Sequence, residues 1–327
     1  MKDDILRYLK NNKNKYVSGQ AISNELSITR ACVWKYIKEL EVEGYKIEGI
    51  SRKGYKLLYS PDILSREEIY ENLNTKYIGK NIMHFDSLGS TNVEAKLLAA
   101  KNIENGTAVI GEEQTLGRGR LGRKWISPKY KGIWMSIVLY PEVEMSEVSK
   151  ITQVAAASVI NALSNLGIKA EIKWPNDIVI NSKKVCGILT ELSGELNKIN
   201  HVVVGIGINA NLEQEDFPEE IKNIGTSIKI ENNNEINRKV LVAYILNEFE
   251  ILYEEFLNHE FLNTLKICRE NSALMGKKIR VIRNGQEILG EALDIEEDGA
   301  LLVKYEDGKI ERIISGEVSV RGLLGYV

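Results

Sequence analysis

A chain of 327 residues that is 43% hydrophobic and 27% charged exceeds one average domain and has ample apolar material for packed cores, so two or three globular domains are expected. Its net charge of −3 hides an asymmetry: residues 1–60 carry 12 Lys and Arg against 7 Asp and Glu, and the remainder is net acidic, which fits a small nucleic-acid module on an acidic body. Cys32, Cys186 and Cys268 lack any Cys-x-x-Cys spacing, Met1-Lys2-Asp3-Asp4 holds no apolar signal core, and the most apolar long stretch, Ile151 to Ile168, is broken by polar residues; a cytoplasmic protein is expected, with no disulfide framework, protein-bound metal or membrane span.

Residues 1–60 read as three short helices and a hairpin. Ile5, Leu6 and Leu9 recur at helical spacing, and Ser18 can cap a second helix running to Leu26. After a turn at Ser27-Ile28, Thr29 can cap a third helix with Val33, Ile37 and Leu40 as its apolar stripe and Gly44 as its stop. Arg30, Trp34, Lys35 and Lys38 lie off that stripe. This is the helix-turn-helix plan over Gly19 to Lys38, with Thr29, Arg30, Trp34, Lys35 and Lys38 as candidate DNA contacts. The hairpin from Tyr45 to Leu58, with Arg52-Lys53-Gly54-Tyr55 at or near its tip, is then a wing. The alternative is a helical mini-domain whose charges are merely solvated.

Ser60-Pro61-Asp62 reads as a linker. Beyond it come a helix from Ser90 or Thr91 to Ala100, strands at 107–111 and 132–140, and a long helix capped by Ser146 and closed by Gly167. Strands at 169–173, 178–180, 185–192 and 201–209 follow, joined by turns as short as Asn181-Ser182-Lys183. Such turns require antiparallel neighbours and exclude a doubly wound parallel sheet. Helices resume from Asn237 to about Asn271. From Met275 short strands alternate with Asn284-Gly285, Asp298-Gly299 and Asp307-Gly308 turns, which suggests a small SH3-like barrel. The expected class is α+β: a winged helix-turn-helix (1–62), a central mixed sheet flanked by helices (63–272) and an SH3-like domain (273–327).

Chemistry concentrates in four segments. Gly117-Arg118-Gly119-Arg120-Leu121-Gly122-Arg123-Lys124-Trp125 joins backbone freedom to four cations, as an anion site requires. Its glycines formally satisfy a dinucleotide fingerprint and P-loop spacing, but the first must open a helix, whereas Trp125-Ile126-Ser127-Pro128 leads towards another strand. The second needs Lys and then Ser or Thr after the last glycine, where Arg123-Lys124 stands. A solvated basic loop is the bland alternative. Lys173-Trp174-Pro175-Asn176-Asp177 and Lys184-Val185-Cys186-Gly187-Ile188-Leu189 place cations, an amide and a carboxylate at strand ends, as a site for an anionic, activated intermediate needs. The fourth segment is Gly205-Ile206-Gly207-Ile208-Asn209-Ala210-Asn211. Cys186 is read as a buried structural cysteine rather than a nucleophile.

In this order the four segments resemble the signature set of biotin-protein ligases, and with residues 1–60 the whole chain resembles those that double as biotin operon repressors. The resemblance implies that biotin and MgATP give biotinyl-5′-AMP and pyrophosphate, after which biotin passes to a lysine of the biotin carboxyl carrier protein of acetyl-CoA carboxylase. It implies biotin and adenylate contacts at Ser90, Thr91, Asn92, Gln114, Arg118, Gly119, Arg120, Lys184 and Asn209. Since a weak carboxylate nucleophile must meet an anionic phosphate, Lys184 and Arg118 are the candidate catalytic cations, and Arg120 is expected to help retain the adenylate. Asp177 is the candidate base or orienting group for the acceptor lysine. The segment 212–238 is expected to hold a loop over the adenine. Gly89 stands where an acidic residue is common, and Leu121 takes a variable place. The resemblance further implies biotinyl-5′-AMP as corepressor, a homodimer and a palindromic operator. A lipoate-protein ligase and a non-enzymatic sensor are the competing readings.

Overall fold

The computed structural model describes residues 1–195, 198–283, 286–314, 319–322 and 326–327. Its contacts divide the chain into two units, Met1–Glu71 and Asn72–Val327.

The first unit contains α1 (Lys2–Asn11), α2 (Gly19–Glu25), α3 (Arg30–Val42), β1 (Lys46–Ile50), β2 (Gly54–Tyr59) and α4 (Arg66–Ile69). Ile5, Leu6 and Leu9 of α1, Ile22 of α2 and Val33, Ile37 and Leu40 of α3 meet in one core, so the apolar stripes expected from the sequence all point inward. Both expected caps are made: Ser18 Oγ accepts from the Ala21 N–H at 3.0 Å and Thr29 Oγ1 from the Cys32 N–H at 3.2 Å. The hairpin pairs Ile50 with Gly54 at its turn. Gly54 sits at φ +112°, and a Cβ there would lie 2.1 Å from the Val17 carbonyl oxygen, so only glycine fits. The unit continues past the expected linker because Glu68, fully buried on α4, pairs with the buried Lys10 of α1 at 2.5 Å.

The second unit is built on a seven-stranded sheet. Its elements are β3 (Ile82–Phe85), α5 (Thr91–Ala99), β4 (Ala108–Gly111), β5 (Ile133–Leu139), α6 (Val148–Asn165), β6 (Glu171–Lys173), β7 (Asp177–Ile180), β8 (Lys183–Glu195), β9 (Lys198–Ile208), α7 (Ile228–Asn232), α8 (Arg238–Leu257) and α9 (Leu262–Glu270). The strand order is β3-β4-β5-β9-β8-β7-β6. Only β3 and β4 run parallel, so the antiparallel expectation holds from β4 to β6. Strand β3 has no counterpart among the expected elements; at four residues it is too short to declare a period of two. The hairpin of β8 and β9 extends further than expected, to Glu195 and Lys198.

Ser146 does not cap the long helix. Residues Met145–Glu147 form a 3-10 turn, and α6 starts after Glu147, whose backbone is already helical at φ −80°, ψ −17°. A side-chain cap needs an extended backbone at the entry residue, so a chain arriving through a 3-10 turn has no use for one. Gly167 closes the helix at φ +73° as expected. Helix α6 is buried on most of its surface, between the sheet and α8 and α9. No helix among the described residues is long and apolar enough to cross a membrane.

The chain ends in a five-stranded antiparallel sheet of β10 (Lys278–Arg283), β11 (Gln286–Ile295), β12 (Leu301–Tyr305), β13 (Ile310–Ile313) and β14 (Ser319–Gly322), ordered β13-β12-β11-β10-β14. Gly299 and Gly308 turn the chain at φ +85° and +84°, as the Asp-Gly pairs foretold; Asn284-Gly285 lies outside the described residues. The Gly299 carbonyl accepts from Gln153 Nε2 of α6 at 2.7 Å and from Trp174 Nε1 at 3.0 Å, which fastens this sheet to the end of β6.

A buried ion pair anchors the sheet to α8. Arg238 Nη1 lies 2.9 Å from Glu112 Oε2 and 2.9 Å from the Gly132 carbonyl, with both charged side chains fully buried. Arg238→Met should lower unfolding stability by about 3–5 kcal/mol, because Glu112 keeps its burial and loses the guanidinium charge beside its Oε2. Urea unfolding monitored by circular dichroism checks this, and an unchanged midpoint would contradict it.

Candidate functional site

The four segments separated in sequence converge on one cavity of about 470 Å³ in the second unit. Its floor is the glycine-bearing middle of β8 and β9, where Gly187 pairs with Gly207 and Leu189 with Gly205. The reason for glycine is room. A Cβ on Gly205 would stand 2.2 Å from Asn92 Oδ1, and one on Gly207 would stand 2.7 Å from Trp125 Nε1. The Gly-x-Gly of β9 therefore clears space for side chains from other elements and has no part in a dinucleotide turn.

Ser90-Thr91-Asn92 stands at the start of α5 on one side of this floor. The Thr91 N–H and Oγ1 donate to Gln114 Oε1 at 2.8 and 3.1 Å, while Gln114 Nε2 donates to Ser127 Oγ at 2.9 Å. Asn92 Nδ2 donates to Glu191 Oε2 at 2.8 Å, and its Oδ1 accepts from Ser136 Oγ at 2.6 Å. These polar groups satisfy one another, and the Glu191 charge is matched by Lys96 at 2.5 Å outside the cavity lining, so the wall at this end presents only uncharged polar side chains. Asn209, at the end of β9, donates to the Thr226 carbonyl at 3.0 Å.

The opposite end is cationic. The Arg loop is a narrow-necked hairpin: the Gly119 N–H donates to the Arg123 carbonyl at 2.7 Å and the Trp125 N–H to the Gly117 carbonyl at 2.9 Å. A single 3-10 turn spans Arg120–Gly122, with Leu121 and Gly122 at φ 57° and 72° and Leu121 71% exposed. No helix opens here, so both nucleotide-motif decoys fail on structure as well as on sequence. Arg120 reaches from the loop to Asn176, donating to its Oδ1 at 2.8 Å. Lys184 Nζ lies 2.5 Å from Asp177 Oδ1 and 5.2 Å from the Trp125 ring centre. Arg118 lines the same cavity.

The wall carries Arg118, Arg120, Arg123, Lys124, Lys173, Lys184, Arg280 and Arg321 against a single carboxylate, Asp177, among the described residues. Burial is the first cause that lowers Lys173 to about 7; Asp177 opposes it, while Lys184, Arg321 and Arg123 add to it. Burial likewise lowers Arg120, with Asp177 again opposing. Such crowding favours an anionic occupant, because nothing else on the described wall offsets the positive charge. Cys186 is wholly buried, and burial raises its thiol well above the ordinary range, so it is structural as expected. Among the described residues no group of three His, Cys, Asp or Glu is placed to hold a metal.

Three sets of contributors were not named as site residues from the sequence. Trp125 closes the floor: its ring packs edge-on to Trp134 at 6.5 Å, and its indole N–H is buried without a protein acceptor among the described residues. Phe217, Ile221 and Ile224 come from the segment 212–238, which is held against β8 by paired backbone bonds, Lys184 N–H to Ile224 O at 2.7 Å and Thr226 N–H to Lys184 O at 2.9 Å. Arg280, Arg321 and Tyr326 come from the last domain. The first closes the Arg loop and the second lies in the segment expected to cover the adenine, so both had a signal for the segment but not for the residue; the last had none, since tertiary packing alone brings it in.

The candidate DNA contacts belong to the first unit, on α3. Arg30, Trp34, Lys35 and Lys38 are exposed, Trp34 by 56%, which is unusual for an aromatic on a helix whose other face is core. Lys38 pairs with Glu41 at 2.5 Å and Lys35 approaches Glu39 at 3.8 Å, both in solvent, where such pairs are weak and exchange readily for phosphate. Thr29 caps the helix.

Residues 85–209 match the profile of the Biotin/lipoate A/B protein ligase family, residues 2–56 an HTH domain and residues 274–321 the Biotin protein ligase C terminal domain. The chain is similar to the bifunctional ligase/repressor BirA of Bacillus subtilis, 38% identical over 98% of each chain, and to that of Escherichia coli, 28% identical over 94% of each. A solved structure of the biotin protein ligase from Aquifex aeolicus in complex with biotin and ATP superposes with a TM-score of 0.65 and 32% identity, over 74% of this chain and 99% of that one.

Lys173 yields a pH prediction. Below about pH 7 it is charged in the folded and unfolded chains alike; from there towards its ordinary 10.5 only the unfolded chain holds the proton, so stability rises with pH across that window. Lys173→Met should flatten this rise between about pH 7 and 9 in thermal unfolding. Parallel curves for the two proteins would contradict the assignment.

Proposed function

The chain belongs to the biotin-protein ligase family, and we propose that it forms biotinyl-5′-AMP from biotin and ATP, then transfers biotin to a lysine of the biotin carboxyl carrier protein of acetyl-CoA carboxylase, and that it represses biotin biosynthesis genes. The observation that carries the enzymatic reading is the cavity's polarity: a neutral hydrogen-bonded end at Asn92 and Gln114, and a cationic end at Arg118, Arg120 and Lys184. A small uncharged ring system suits the first, and the carboxylate and phosphates suit the second.

In adenylation, the carboxylate oxygen attacks the α-phosphorus and pyrophosphate leaves with the electron pair of the broken P–O bond. Arg118 and Lys184 draw two anions together and offset charge on the phosphoryl oxygens. Ser90, Thr91, Asn92, Gln114, Gly119 and Asn209 bind and orient biotin and the adenylate. Arg120, braced on Asn176, holds the adenylate, and the segment 212–238 covers its adenine and excludes water. Magnesium travels with the ATP phosphates, which suits a wall bearing one carboxylate among its described residues. In transfer, Asp177 accepts a hydrogen bond from the acceptor amine and orients it towards the acyl carbon.

The functional division runs 1–62, 63–272 and 273–327, the last as an SH3-like barrel. The protein works in the cytoplasm as a homodimer whose assembly on a palindromic operator depends on biotinyl-5′-AMP as corepressor. Thr29, Arg30, Trp34, Lys35 and Lys38 then face the operator.

Two measurements test this. With labelled biotin, ATP and a carrier domain, the protein should label the carrier; Lys184→Met should slow adenylate formation on the order of 10²-fold. Transfer of lipoate in place of biotin would select the sister activity, and no transfer of either would overturn the reading. In a gel shift, operator affinity should fall with salt and rise with biotin plus ATP, and Lys35→Ala should lower the salt slope by about one. Binding indifferent to salt and ligand would remove the repressor role.

A further inference from the structure

Tyr326 stands at the cationic end of the cavity. Its hydroxyl donates to Asp177 Oδ2, and its ring lies over Lys173, whose Nζ is 3.3 Å from the ring centre. The other oxygen of Asp177 faces Lys184 at 2.5 Å. Both oxygens of the only carboxylate on the described wall are thus engaged, one by a cation and one by a neutral phenol. Burial and Asp177 raise the phenol well above its ordinary value, so it stays a donor throughout the neutral range.

An acceptor lysine needs the same place. It arrives as an ammonium, must present an N–H to a carboxylate oxygen, and must give up a proton before its nitrogen attacks the acyl carbon of the mixed anhydride. The first proton passes to solvent; the C–N bond then forms, the bond from the acyl carbon to the phosphate oxygen breaks, AMP leaves with that electron pair, and of the two protons left on nitrogen one passes to Asp177 or solvent while the amide keeps the other. Lys184 cannot yield its oxygen without uncovering charge beside the phosphate. The Tyr326 hydroxyl is the partner that can be exchanged, since one neutral donor is lost and one charged donor gained.

We propose that Tyr326 occupies the docking place of the acceptor amine on Asp177, so that Tyr326 and the carrier lysine compete for Oδ2. This rests on the orienting role given to Asp177 above. Competition of this kind sets how much carrier the enzyme needs, and gives the resting site a hydrogen-bonded occupant in place of water that would hydrolyse the adenylate.

The test is single-turnover transfer from preformed biotinyl-5′-AMP at varied carrier-domain concentration. Tyr326→Phe keeps the ring over Lys173 and removes the hydroxyl; it should lower the half-saturating carrier concentration by about threefold or more, an effect seen there and not in the maximal rate. Tyr326→Leu should lower it as well, which guards against a packing artefact of one variant. In an Asp177→Asn background the effect of Tyr326→Phe should shrink or vanish. An unchanged half-saturating concentration, a fall in maximal rate alone, or an effect that persists in full in the Asp177→Asn background would overturn the competition. If Asp177→Asn by itself transfers at the parental rate, the role of Asp177 fails, whatever Tyr326 does.

Discussion

The site depends on the Lys184–Asp177 ion pair and on how little negative charge accompanies it. One carboxylate among eight cations on the described wall leaves the cavity with a positive field that only an anionic occupant can offset. Burial sharpens this, since water screens poorly there and Lys173 gives up part of its charge in consequence. Most of the remaining architecture serves to hold those cations where an anion must sit. The hairpin of β8 and β9 delivers Lys184, the β6–β7 turn delivers Lys173, Asn176 and Asp177, and the necked Arg loop delivers Arg118 and Arg120.

Space is the second constraint, and glycine supplies it. Gly187, Gly205 and Gly207 lie on paired strands beneath Lys184, Asn92 and Trp125, so each clears room for a side chain that lines the cavity. The last domain contributes through its fastening at Gly299, which receives hydrogen bonds from α6 and from Trp174. That attachment holds the domain at the mouth of the cavity, where Arg280, Arg321 and Tyr326 reach the wall.

Much of this was legible in the sequence wherever a local rule acted. The apolar stripes of α1 and α3, the caps at Ser18 and Thr29, the stop at Gly167 and the turns at Asp298-Gly299 and Asp307-Gly308 all follow from helical period and backbone freedom, and all are present. Ser146 failed as a cap because a 3-10 turn, which no short motif announces, carries the chain into α6. Strand β3 was illegible because four residues cannot show alternation. Within the site, the Arg loop was visible because glycines interleaved with four cations suit an anion, and the other three segments because Gly, Asp and Asn are disfavoured in strands unless something needs them. Phe217 was legible only as part of the segment expected to cover the adenine, and Tyr326 not at all, since an aromatic residue far along the chain looks the same whether it packs in a core or over an ammonium.

On the proposed function, one cationic cavity both makes and keeps an acyl-adenylate. This is tested most directly by incubating the protein with ATP labelled at the α-phosphate, with and without biotin, and separating protein from free nucleotide by gel filtration. Label should travel with the protein only when biotin is present, and be released as AMP when a carrier domain is added. Label that never co-elutes, or that co-elutes equally without biotin, would contradict it.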